Sequence, residues 1–199
     1  MAQLGRQPTA PEKMALYRPT DKPGVVLVGS HVQKTTQQLE LLLQKEDTVG
    51  IEIDVERLRD FPEAENAMLL ETLAAVERVF TEGKTPVVYT SRQELSFVDA
   101  QQRLQFGTRV SSLLMDVVRG LPNSIGFLIS KGGITSNDVL SIGLNLTVAR
   151  LLGQILPGCS VIRTEPNHPQ FPNLPVVLFP GNVGERDGLV AVWNRLRIS

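Results

Sequence analysis

Ser130-Lys131-Gly132-Gly133-Ile134-Thr135-Ser136-Asn137-Asp138-Val139-Leu140 is the stretch that decides the fold. The apolar run before it, Ile125-Gly126-Phe127-Leu128-Ile129, reads as a buried strand that stops at the glycine pair. A helical pattern follows from Thr135 or Ser136. Two residues without Cβ let the backbone curl and turn its N–H groups toward one point, where an anion can sit. Thr135 with Asp138 three residues later has the spacing of a capping box. By themselves these residues fit two readings, a capped strand-to-helix turn and a phosphate loop.

The rest of the chain repeats the strand-then-helix rhythm. Val25–Val28 is a short β-branched run that ends at Gly29-Ser30, with a polar helical stretch carrying Leu39, Leu42 and Leu43 after it. Thr48 to Asp54 alternates apolar and polar residues as a half-buried strand does. An amphipathic helix is predicted over 63–82, with Leu69, Leu70, Leu73, Val76 and Phe80 on one face. Pro86–Thr90 reads as a strand, 99–118 as a helix, and 136–152 as the helix after the glycine pair. Val161–Arg163 and Val176–Phe179 are later strands, and 185–196 closes the chain as a helix. Strands alternating with helices of this length predict a single α/β domain with a mostly parallel β-sheet and helices on both faces.

In such a sheet three small-residue loops share one edge: Gly29-Ser30, Gly132-Gly133, and Gly181-Asn182-Val183-Gly184. The carboxyl edge is where open α/β sheets bind ligands. Loops serving one nucleotide should fall within roughly 15 Å of one another, the scale of a ligand cleft. Neither Gly-x-Gly-x-x-Gly nor the P-loop pattern Gly-x-x-x-x-Gly-Lys-[Ser/Thr] occurs.

Composition excludes several classes. Net charge is −1 and no Lys/Arg cluster stands out, so no nucleic-acid surface is indicated. No apolar run approaches the roughly 18 residues of a membrane span. Met1–Pro8 lacks the apolar core of a secretory signal, and the single Cys159 suits a reducing compartment. These features predict a cytoplasmic protein. Residues 1–23, with Pro8, Pro11, Pro19 and Pro23, read as a lead-in arm, and 24–199 as the domain.

Val26–His31 with Thr35-Thr36-Gln37-Gln38-Leu39, Gly132–Ser136 with Asp138-Val139, and Phe179–Gly184 follow one another in an order that resembles a known family. They are similar to the C-terminal, nucleotide-binding domain of the four-carbon acid sugar kinases, some of which were earlier labelled Hrp-dependent type III effectors. The resemblance covers about 24–197. It implies ATP as ligand, with Mg²⁺ accompanying it, and Ser30, Gly132, Gly133, Ile134, Thr135 and Gly181 as the ATP-binding residues. It implies phosphorylation of threonate- or erythronate-type acids by the whole kinase. The half that binds the sugar acid and is expected to supply the base has no counterpart in these 199 residues, so residues 8–23 would be a linker remnant and the chain alone inactive. The partners implied are ATP or ADP and that sugar-acid-binding domain. The alternative is a stand-alone nucleotide-binding or regulatory module.

Other residues are less telling. Lys131 reads as a solvated lysine and Asp138 as a cap. His31 either faces the crevice or is structural. His168 lies in a polar loop without a zinc pattern, and Trp193 has the helical spacing of a core residue. Cys159 has no evident activating partner, which leaves a self-sufficient small enzyme without support. No catalytic residue and no protein-bound metal ligand is assigned. Oligomeric state, a homo-oligomer included, is open.

Overall fold

The computed structural model describes residues 10–93 and 95–197. The stretch Met1–Pro8 discussed above lies outside the described residues. Seven strands form one sheet: β1 (Val25–Val28), β2 (Thr48–Ile53), β3 (Thr85–Thr90), β4 (Leu128–Lys131), β5 (Arg150–Leu156), β6 (Cys159–Arg163) and β7 (Pro175–Phe179). Their order is β2-β3-β1-β4-β7-β6-β5. The five strands from β2 to β7 run parallel, and β6 and β5 add antiparallel at the far side.

The central strands show why the sheet needs cover on both sides. All four residues of β1 are buried. Val25 and Leu27 feed one apolar cluster, while Val26 and Val28 feed the other, because successive side chains point to opposite faces. The first face packs under α3 (Glu65–Thr81) and α4 (Ala100–Arg119), and the second under α1 (Gln33–Leu43) and α6 (Gly188–Leu196). Trp193 on α6 is a core residue, as its spacing predicts, and its indole N–H donates to Thr85 Oγ1 at 3.0 Å.

Several boundaries differ from the sequence reading. Strand β4 starts at Leu128 rather than Ile125, and Lys131 is its last residue rather than a loop residue. The helix after it, α5, begins at Gly133 and ends at Asp138, then widens into a π turn over Val139–Gly143. Gly132 is its N-cap, so Thr135 and Asp138 do not form a capping box. Asp138 Oδ2 instead accepts from Ser111 Oγ at 2.5 Å. The predicted helix over 136–152 therefore fails in its second half, where Arg150–Leu156 is the edge strand β5. The predicted helix overlaps β5 only at residues 150–152, and bulges between Leu151 and Gly153 and between Gln154 and Leu156 deprive this strand of the regular alternation that would mark it. On α3 the inward face is Met68, Thr72, Val76, Val79 and Phe80, and Leu70 is 60% exposed. A short helix α2 (Val55–Asp60), capped by the Asp54 carboxylate, was not anticipated.

Pro11–Tyr17 forms a 3-10 helix against α6 and β5, and Met14 is fully buried in the second cluster. Among the described residues no helix is long and apolar enough to cross a membrane.

Candidate functional site

From β1 the chain crosses through α1 to the β2 side, while β4 leads away toward the β5–β7 side. The loops after these neighbouring strands therefore diverge and leave a crevice between them, the usual ligand position in open α/β sheets. β7 lies next to β4, so its loop joins the same edge.

The three loops touch. Gly29 N–H and Ser30 N–H both donate to the Lys131 carbonyl, at 3.2 and 3.3 Å, and Gly132 N–H donates to the Phe179 carbonyl at 2.8 Å. A Cβ added at Gly181 would lie 2.6 Å from Ser30 Oγ, and one at Gly132 would lie 3.1 Å from Ser30 Cβ. Ser30, Gly132–Thr135 and Gly181, predicted from three distant parts of the chain, thus stand together. Thr35 on α1, fully buried, ties them: its hydroxyl donates to the Gly181 carbonyl at 2.8 Å and lies 3.2 Å from Ser30 Oγ. Gln38, one turn on, fixes the rest of the β7 loop by donating to Val183 and Glu185 carbonyls at 3.1 and 2.7 Å.

The two glycines of the pair differ. Gly132 has φ +133, a conformation that side chains resist, and its added Cβ would also meet Thr135 Oγ1 at 2.9 Å. Gly133 is exposed, and a Cβ there would meet nothing within 4 Å. The first is a requirement of the turn; the second leaves free space over the backbone. Ser136 N–H makes the first intrahelical bond, to the Gly132 carbonyl at 2.8 Å. The N–H groups of Gly133, Ile134 and Thr135 precede it, and no carbonyl of their own helix can accept from them. Ile134 is 79% exposed beside them.

Lys131 departs most from expectation. It is fully buried, not solvated. Its ammonium donates to the carbonyls of Pro180 and Gly181, at 2.6 and 3.0 Å, and sits 3.9 Å from the centroid of the Phe179 ring. Burial pushes its pKa down to about 8, with Cys159 opposing the shift and Lys34 adding to it. No carboxylate pairs with it among the described residues. A positive charge held under the β7 loop favours an anion above it. Its position in the apolar strand β4 was the one available signal, since an inward lysine is rarely buried without a role. Cys159 is fully buried with its thiol pushed up to about 11, mainly by burial, and is not poised as a nucleophile.

On the α4 side the edge opens into a cleft of about 550 Å³. Gly29, His31, Ile134 and Thr135 line it next to the loops, and Arg92, Phe106, Val110 and Leu114 line it further out. His31 does face the crevice, with Nε2 3.1 Å from Thr90 Oγ1. Arg92, unremarked in the sequence, follows β3 and donates through Nε and Nη2 to Thr36 Oγ1 at 3.2 and 2.7 Å. His168 is remote and structural: Nδ1 accepts the Phe171 N–H at 2.9 Å, which leaves Nε2 to donate to the Leu144 carbonyl at 2.9 Å. Among the described residues no cluster of three His, Cys, Asp or Glu could hold a metal.

The fold recurs in solved structures. A Salmonella typhimurium LT2 protein, provisionally labelled a tRNA synthase, aligns at 23% identity with TM-score 0.66, over 87% of this chain and 41% of that one. A domain of unknown function from Bordetella bronchiseptica, crystallised with citrate as a domain-swapped dimer, aligns in two crystal forms. Identity is 21% in both, TM-scores are 0.61 and 0.63, and 88% and 94% of this chain and 42% of that one are covered. The chain thus spans about two-fifths of the length of these structures. No curated protein matches it significantly. The sequence profile of the family described as nucleotide-binding C-terminal domain matches residues 25–189, from the first residue of β1 into α6 and across all three loops. The chain belongs to the nucleotide-binding C-terminal domain family.

Proposed function

We propose that this chain is the ATP-binding part of a kinase for small four-carbon sugar acids of the threonate or erythronate type. The observation that carries the reading is the meeting of Ser30, Gly132–Thr135 and Gly181 at the switch point of the sheet, with open space over Gly133. The residues present fit a polyphosphate: backbone N–H groups at Gly133 and Ile134, hydroxyls at Ser30 and Thr135, and the Lys131 charge beneath Gly181. Asp138 is engaged by Ser111, so Mg²⁺ would be carried on the nucleotide's phosphates rather than in a cage of carboxylates.

Phosphoryl transfer depends on positioning and on neutralising charge, and this edge can position the donor. The acceptor and the base that takes its hydroxyl proton belong, in this reading, to a separate sugar-acid-binding domain facing the crevice. The setting is the cytoplasm, where ATP is plentiful.

Incubating the chain with Mg-ATP and a panel of threonate, erythronate and 2-oxo-tetronate should yield no phosphorylated acid. Adding a separately produced N-terminal half from a full-length relative should start transfer to one of them. Turnover by the chain alone would overturn the division of labour.

A further inference from the structure

We infer that the cleft along α4 receives the nucleobase of the bound nucleotide, with Gly107 as the notch against which it lies. The inference rests on the nucleotide reading above and adds the direction in which the ligand runs. One stripe of α4 faces the cleft, through Arg103, Phe106, Gly107, Val110, Ser111 and Leu114, at the three- and four-residue spacings of a single helix face. Its inner end is apolar: Leu114 is buried and Val110 half-buried.

Gly107 stands in the middle of that stripe. A glycine inside a helix weakens it relative to alanine. Packing does not explain it, because an added Cβ would meet nothing within 4 Å. Its effect is to bare the helix backbone toward the cleft, where a flat group can approach closely. At the other end of the same cleft, Ile134 stands 79% exposed beside Gly133.

The chemistry selects among occupants. The cleft is continuous with Gly29 and Thr135 of the loop cluster, and its walls mix Val110, Leu114 and Ile134 with His31, Arg92 and Arg103, so a ligand filling both needs a phosphate end and a flat end with apolar faces and polar edges. A four-carbon sugar acid has no apolar face for Val110, Leu114 and Ile134. A nucleoside has one, and a volume of about 550 Å³ lies within the usual size range of small-molecule sites.

The test compares ADP with inorganic pyrophosphate, which has phosphates and no base, by calorimetric titration of the full chain. Gly107→Phe fills the notch. It should weaken ADP at least about tenfold while leaving pyrophosphate affinity unchanged. Gly107→Ala, a better helix former with space for its methyl, should raise Tm and weaken ADP less; it keeps the test alive if the phenylalanine variant misfolds. Unchanged ADP affinity in both folded variants would overturn the base assignment and leave the nucleotide reading standing. Equal loss of ADP and pyrophosphate would overturn it too, by placing phosphates in the cleft. Failure of the unmodified chain to bind either probe would sink the nucleotide reading and this inference with it.

Discussion

Two glycine turns of this molecule have similar sequence signatures and different consequences. Gly132-Gly133 joins the parallel strand β4 to a helix, next to the loops of β1 and β7. Pro157-Gly158 joins the antiparallel strands β5 and β6, where Leu156 pairs with Cys159 across the turn. Gly158 has φ +79, as the third position of a proline-led turn requires, and it faces Val183 rather than a cleft. A hairpin turn uses its glycine to reverse the chain. A turn at the carboxyl edge of parallel strands has neighbours on both sides, and their backbone groups converge. Topology, more than glycine content, separates a turn that meets neighbouring loops from one that only reverses the chain.

Added bulk at each turn should separate the two most strongly. Gly133→Val should reduce ADP affinity by at least about 100-fold, since its side chain would occupy the space over the N–H groups proposed to hold phosphate. Its far-UV circular dichroism and Tm should stay near those of the unmodified chain, because the added Cβ meets nothing within 4 Å. Gly158→Val should do the reverse. A β-branched residue at φ +79, with its Cβ 3.1 Å from Val183 Cγ1, should cost about 2 kcal/mol and lower Tm by about 5 °C. ADP affinity of the folded protein should not change. Equal loss of binding in both variants would show that the two turns are not functionally distinct.

Lys131 gives a smaller effect with a distinctive sign. Its folded pKa of about 8 lies below the ordinary value of 10.5. Between those values the unfolded chain holds more protons than the folded one, so the lysine's contribution to stability rises with pH across that window. As pH rises through the folded value of about 8 the ammonium near Gly181 becomes neutral, and ADP affinity should fall about tenfold between pH 7 and 9. Lys131→Met should flatten both profiles. An ADP affinity that holds constant up to pH 9 in the unmodified chain would remove Lys131 from the site.

The parts of this fold that were legible in the sequence are those where one physical signal dominates. β1 and β7 are short apolar runs bounded by small residues, and both lie where predicted. α4 runs over Ala100–Arg119 against a predicted 99–118, and the structure adds its cap: the Asp99 carboxylate accepts the Gln102 N–H at 2.8 Å. The convergence of the three loops follows from parallel topology and needed no side-chain detail. What escaped detection depended on contacts distant in sequence. The bulges of β5 disguise its period, and they make sense only against its partner β6. Lys131 looked like a loop lysine because β4 runs two residues beyond the apolar run that ends at Ile129, and its partners, Pro180 and Gly181, come from the loop after β7. Thr35 stands in a segment that carries the family resemblance, but its role could not be read there, because it holds the Gly181 loop 146 residues away.

In the proposed function the carboxyl edge of the parallel strands holds the phosphates of a nucleotide. Calorimetric titration of ADP and ATP into the chain, with and without Mg²⁺, tests it most directly when run beside the Gly133→Val and Gly158→Val variants. The expected result is saturable binding with one site per chain, kept in Gly158→Val and lost in Gly133→Val. Absence of binding to the unmodified chain, or binding by folded Gly133→Val equal to it, would contradict the claim.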